Sequence, residues 1–136
     1  ELNSVQSYIH ILALRYGDEI STRIMVPEEL FSFKVPNMMI QPIIENAYLH
    51  AFQSKKTGFI TLFGKIHDDS LIFEVVDSGD GFDTSLTKKT TDFFSGIGIK
   101  NVDERIRLSF GEAYGLTIES FIGVGTTVRI TLPIIE

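Results

Sequence analysis

The chain has no cysteine and no tryptophan among its 136 residues, and only three histidines and four prolines. Without cysteine there is no disulfide framework, no thiolate zinc site and no cysteine nucleophile, and the redox compartment stays open. The histidines are scattered at His10, His50 and His67, which argues against a histidine-built metal site. Long apolar runs are also missing, since none approaches the roughly twenty residues needed to cross a bilayer. Positive charge is in deficit, with 12 Lys and Arg against 18 Asp and Glu and a formal net charge of −6. That balance disfavours a surface that grips phosphate backbones non-specifically, and with it a nucleic-acid partner. Glu1-Leu2-Asn3 is neither an initiator Met nor a signal peptide, and reads as the start of a soluble piece of something longer. What is plentiful is apolar material, 43% of residues, enough at this length for one domain with a real core.

Leu2, Val5, Ile9, Leu12 and Tyr16 mark one stripe of a helix that Gly17-Asp18 ends. Such a stripe suits a helix docked on its own domain or the end of a helical stalk. Residues 1–17 are therefore set apart from a domain at 18–136. Two β-rich runs, Ile20 to Val26 and Phe31 to Val35, flank Pro27-Glu28-Glu29-Leu30 and predict a hairpin. Pro36-Asn37 then opens a helix to about Phe52, with Asn37 as cap, Met39, Ile40, Ile43, Ile44 and Ala47 buried, and Pro42 in its first turns. Gly58 to Ile66 and Leu71 to Asp77 alternate as a second hairpin, with Ile60, Leu62, Ile66, Leu71, Phe73 and Val75 inward. Ser78 to Ser95 has no period, and a loop that long inside a compact domain is more often functional than idle. A second helix follows Gly98, with Ile99, Val102, Ile106 and Phe110 inward, Lys100/Glu104 and Asp103/Arg107 as exposed i,i+4 pairs, and Gly111 as its stop. Leu116 to Ile122 and Thr126 to Leu132 form a last strand pair around Gly123-Val124-Gly125. This order predicts an α+β two-layer sandwich, a mixed sheet with helices on one face, and not a dinucleotide fold.

Three constellations could carry chemistry. In Gln41-Pro42-Ile43-Ile44-Glu45-Asn46-Ala47-Tyr48-Leu49-His50, Glu45 and Asn46 interrupt an apolar helix, and His50 lies one turn beyond Asn46. An asparagine carbonyl is a hard oxygen ligand, a neighbouring carboxylate can act as a base, and a histidine can donate to phosphate. In Asp77-Ser78-Gly79-Asp80-Gly81, period-two parity puts the Asp77 carboxylate on the inward face at the mouth of the core, where it needs a donor such as the exocyclic amine of adenine. Gly79 and Gly81 let the backbone turn and approach a ligand. In Gly96-Ile97-Gly98-Ile99-Lys100-Asn101, a glycine pair opens a helix whose free N–H groups, beside Lys100, suit an anion. Taken singly, each is equally an amphipathic helix, a plain turn and a helix entry. Their order is far more specific.

In that order the chain resembles the ATP-binding domain of sensor histidine kinases, within the superfamily shared with gyrase, the ninety-kilodalton heat-shock chaperone and the mismatch-repair ATPases. The LytS-like and YesM-like subgroup is matched through Ile40-Gln41-Pro42-Ile43-Ile44-Glu45-Asn46-Ala47, Asp77-x-Gly79-x-Gly81, Gly96-Ile97-Gly98-Ile99-Lys100-Asn101-Val102 with Glu104-Arg105-Ile106, and Gly123-x-Gly125-Thr126-Thr127. The resemblance implies the Bergerat-type ATP-binding fold, with ATP and Mg²⁺ as ligands. It makes Asn46 the magnesium ligand and Glu45 the acid proposed in such kinases to assist the accepting histidine. Asp77 matches the adenine-binding aspartate, Gly79 and Gly81 the purine-pocket glycines, and Phe82 to Ser95 the mobile lid. Gly96 and Gly98 match the hinge at the phosphates. Thr126 and Thr127 match a strand start where a hydroxyl shares a water with Asp77.

Two departures stand out. Leu49 occupies a position where many histidine kinases place a lysine, so His50 or Lys100, with Asn101 beside it, must serve the phosphates. Pro42 stands where the ATPase members carry a water-activating glutamate, which disfavours hydrolysis as the purpose. The implied activity is transfer of the γ-phosphoryl group to a histidine on an upstream dimerisation helix absent from this chain, so that the chain alone binds ATP without phosphorylating itself. The implied partners are those helices and a response regulator, in a homodimeric membrane receptor of which this is a soluble cytoplasmic part. A non-catalytic nucleotide-sensing module and a protein serine kinase of the same fold are the rival readings.

Overall fold

The computed structural model describes residues 6–11, 14, 20–33, 39–48, 52, 56–82 and 97–134, with the backbone alone at 97–100. Its five strands are β1 (Ile20–Met25), β2 (Gly58–His67), β3 (Ser70–Asp77), β4 (Gly115–Phe121) and β5 (Gly125–Pro133). They form one mixed sheet in the order β1-β2-β3-β5-β4, with β1 parallel to β2 and the other neighbours antiparallel. The β2–β3 turn is two residues long, and both Asp68 and Asp69 take positive φ, 48° and 63°. Such a turn matches the twist of the flanking strands and fixes their register.

Strict alternation gives this sheet one apolar face. Gly64, Phe73, Ile130 and Leu116 lie in one row across four strands, and Leu62, Val75, Val128 and Ile118 in the next. Phe73, Ile130, Leu116, Leu62 and Val75 are all buried in the core. Two helices cover that face: α1 (Gln41–Asn46) and α2 (Ile97–Phe110). From α1 and its entry come Met39, Ile40, Ile43 and Ile44, continued by Ala47 and Tyr48, and from α2 come Val102 and Ile106. Residues 6–11 are helical, and Ile9 joins the same core. The opposite face carries exposed Met25, Phe59 and Phe63 and the Glu74–Arg129 ion pair at 3.0 Å.

Four expectations need correction. Phe31 to Phe33, the described part of the predicted second strand, are not strand: Glu28–Ser32 is a 3-10 helix, begun by the Leu30 N–H donating to Pro27 O at 3.0 Å, and Lys34 and Val35 lie outside the described residues. That turn drives Leu30 into the core, and β1 pairs instead with β2, a parallel partner reached through the α1 crossover. The cap of α1 is Ile40 rather than Asn37, because Pro42, which has no N–H, fits only the first turn. Residues 36–38, with Asn37, and 49–51 of that predicted helix lie outside the described residues. Ile66 is exposed, since β1 covers β2 only as far as Phe63. Asp103 and Arg107 are paired at 3.1 Å but not on an open surface: the side chain of Asp103 is 15% exposed and also accepts from the Leu116 N–H at 2.9 Å. The pair thus ties α2 to the start of β4. The Gly111 N–H closes α2 on Arg107 O at 2.9 Å. Among the described residues no helix is long and apolar enough to cross a membrane.

Candidate functional site

One end of the apolar face turns polar. The row after Val75 and Val128 consists of Ile60, Asp77, Thr126 and Ser120, one residue from each of four strands. Asp77, Thr126 and Ser120 are all buried. A buried carboxylate is costly unless donors meet it, and here the Gly79 N–H donates to Asp77 Oδ1 at 2.9 Å. That bond turns the chain sharply after β3 and fixes the carboxylate's orientation. The Thr126 and Ser120 hydroxyls lie 2.8 Å apart and hydrogen-bond to each other. A carboxylate offers only acceptors, so the Asp77 side chain suits N–H donors, whereas the Thr126 and Ser120 hydroxyls can donate or accept.

Two close backbone approaches hold this corner together. The chain beyond β3 lies against the β4–β5 hairpin, with the Gly123 N–H donating to Asp80 O at 2.7 Å and the Phe82 N–H to Ser120 Oγ at 2.9 Å. A Cβ on Gly81 would stand 2.0 Å from Phe121 O, and one on Gly125 would stand 2.0 Å from Asp77 O. Both glycines have positive φ, 67° and 144°. What each supports in this structure is contact between chain segments around Asp77.

On the helical side, Glu45 is exposed and Asn46 half-buried at the end of α1. The Glu45 carboxylate accepts from the Tyr8 hydroxyl at 2.6 Å. One turn on, the buried Tyr48 hydroxyl bonds to Thr22 on β1, and desolvation raises its pKa above the ordinary tyrosine value. Gly98 and Lys100 fall in the first turn of α2, and Asn101 is exposed on the same helix. Thr127 does not join Asp77: it pairs with Val76 and Glu119, and alternation puts it on the opposite face of the sheet from Thr126. His50 and Gly96, and residues 83–95 of the predicted lid, lie outside the described residues.

No sequence motif contains Ser120, although it holds both the loop and the hairpin. Its signal is parity: Leu116, Ile118 and Ser120 are alternate residues of one strand, and the third is polar where the pattern demands an apolar side chain. Among the described residues no group of three or more His, Asp or Glu gathers that could hold an ion by itself. A magnesium ion normally keeps several waters and leans on substrate phosphates rather than on a protein cage, and an asparagine carbonyl such as that of Asn46 is a hard oxygen of the kind it accepts.

Residues 36–136 match the family described as histidine kinase-, DNA gyrase B-, and HSP90-like ATPase. The chain is 31% identical to sensor histidine kinase YesM of Bacillus subtilis over 134 residues, which are 98% of this chain and 23% of that protein. It is 29% identical to sensor histidine kinase BtsS of Escherichia coli, again over 98% of this chain and 23% of that protein. The chain therefore spans about a quarter of the length of these relatives. Among solved structures, the catalytic domain of histidine kinase ThkA superposes with a TM-score of 0.71 at 16% identity, covering 99% of this chain and 95% of that one. That likeness establishes the Bergerat-type α+β fold. With the family match covering most of the chain and the polar row at the expected end of the sheet, the chain belongs to the histidine kinase-, DNA gyrase B- and HSP90-like ATPases.

Proposed function

We propose that this chain is the ATP-binding catalytic domain of a two-component sensor histidine kinase, binding Mg-ATP and delivering the γ-phosphoryl group to a histidine on an upstream dimerisation helix. The observation that supports it most is the Asp77 carboxylate, buried at the polar end of an otherwise apolar sheet face and oriented by the Gly79 N–H. There it accepts from the exocyclic amine of adenine, while Thr126 and Ser120 continue the hydrogen-bonding row. The first turn of α2 holds Gly98 and Lys100, and a helix start of this kind would meet the phosphates with its backbone N–H groups. Asn46 would hold Mg²⁺, which, when bound, neutralises charge on the β- and γ-phosphates.

The transfer forms a P–N bond to one imidazole nitrogen and breaks the bond between the γ-phosphorus and its bridging oxygen, whose electron pair leaves with ADP. Glu45 accepts the hydrogen bond of the other imidazole nitrogen, keeping the attacking lone pair aimed at phosphorus, and takes that N–H proton as the P–N bond forms. Positioning and charge neutralisation therefore carry most of the rate. A response regulator then takes the phosphoryl group, and the parent protein is a dimer whose chain crosses a membrane elsewhere.

Incubation with γ-labelled ATP tests this reading. The chain alone is expected to bind nucleotide and remain unlabelled, whereas the full-length protein acquires acid-labile label on histidine. Asn46→Ala in the full-length protein is expected to lower the labelling rate by about a hundredfold or more. Label on the isolated chain, or full-rate labelling by Asn46→Ala, would contradict it.

A further inference from the structure

An exposed glutamate at the end of a helix normally samples several rotamers, yet the Glu45 carboxylate is held. Its Oε2 accepts from the hydroxyl of Tyr8, a residue 37 positions earlier, at 2.6 Å. That is the length of a charge-assisted O–H···O⁻ bond, about twice as strong as a neutral one. The donor is itself anchored: Tyr8 packs against the core, its neighbour Ile9 is buried in it, and both belong to the helical segment 6–11. On the other side, Ile43 and Ile44 are buried immediately before Glu45, so the backbone bearing the carboxylate is fixed as well. Nothing in the packing of α1 requires this bond, because Glu45 faces outward.

We propose that Tyr8 is a positioning residue for phosphoryl transfer, its hydroxyl holding the Glu45 carboxylate in the orientation from which Glu45 engages the phosphoacceptor imidazole. The proposal rests on the reading of Glu45 given above. The bond uses Oε2 and leaves the carboxylate a second oxygen with which to meet the imidazole N–H. It also makes the helical segment before the domain part of the site: if residues 6–11 shift or rotate, Glu45 loses its fixed orientation. Nucleotide binding, which depends on Asp77 at the sheet end, does not pass through this contact.

A double-mutant cycle in the full-length protein tests it, reading the rate of histidine labelling from γ-labelled ATP at saturation together with the KM for ATP. Tyr8→Phe keeps the ring and its packing and removes only the hydroxyl. It is expected to lower kcat about tenfold, the scale of a modest misplacement of a reacting group, while leaving KM unchanged. Glu45→Gln is expected to be slower still, and adding Tyr8→Phe to it should cost nothing further. If Glu45→Gln is slow but Tyr8→Phe labels at the wild-type rate, the positioning role is overturned and Glu45 keeps its own. An equal loss from Tyr8→Phe in both backgrounds would show a packing effect and also overturn it. Wild-type labelling by Glu45→Gln would remove Glu45 from the reaction, and Tyr8 with it.

Discussion

Asp77→Asn is expected to bind ATP at least tenfold, and as much as about a hundredfold, more weakly than the wild type, a loss of about 1.4 to 3 kcal/mol. The substitution changes almost no volume, so the effect isolates hydrogen-bond polarity. Because the Gly79 N–H donates to Asp77 Oδ1, the asparagine carbonyl takes that place and turns its NH₂ group toward the ligand. A donor then faces the donor of the adenine amine, where the carboxylate had offered an acceptor. Titration calorimetry reads the affinity. The thermal midpoint should move by only a few degrees, because the register with Thr126 and Ile60 is backbone-borne. Equal affinity for ATP in both proteins would place the adenine elsewhere.

The second large effect is structural. Gly125→Ala forces a Cβ to within 2.0 Å of Asp77 O and 3.0 Å of the Asp77 carbonyl carbon, from a backbone at φ 144°. Neither contact can be relieved by a rotamer change, since both partners are main chain. Strain and overpacking together are expected to cost about 3 kcal/mol or more, a fall in Tm of roughly 10 °C for a chain of this size. Gly123, two residues away in the same hairpin, supplies the control. It also has positive φ, 80°, but a Cβ there meets nothing within 4 Å. Gly123→Ala should therefore cost only the conformational term, about 1 to 2 kcal/mol. Thermal unfolding of the two variants separates close approach from backbone preference, and similar Tm values for both would contradict the account of how β5 presses on the end of β3.

The same two strands show what could be read from the sequence and what could not. β3 and β5 were legible nearly to the residue because alternation of Leu71, Phe73, Val75 and of Val128, Ile130, Leu132 is a local signal, and the Asp77 side follows from the same parity. The buried side of α1 was legible for the corresponding reason at helical spacing. β1 looks locally like half of a hairpin because its partner is β2, on the far side of α1, and nothing local announces a parallel pairing. Pro27 suits a β-turn and the start of a 3-10 helix equally, and burial of Leu30 decides between them. Within the site, family resemblance carried Thr126 and Thr127 together, whereas the pleat separates them onto opposite faces. Ser120 belongs to no motif; its importance comes from register, which places it beside Thr126. The contact between Tyr8 and Glu45 depends on how the 6–11 segment meets α1, which spacing along the chain does not encode.

The most direct measurement is calorimetric titration of Mg-ATP and Mg-GTP into the wild-type chain under identical conditions. Adenine presents an amine to Asp77, whereas guanine presents an oxygen acceptor in the same place, which a carboxylate repels. The account predicts saturable ATP binding, with GTP weaker by about a hundredfold or more. Equal binding of the two nucleotides would mean that the phosphates alone are gripped, and binding of neither at millimolar concentration would mean that the polar row at the end of the sheet is no nucleotide site.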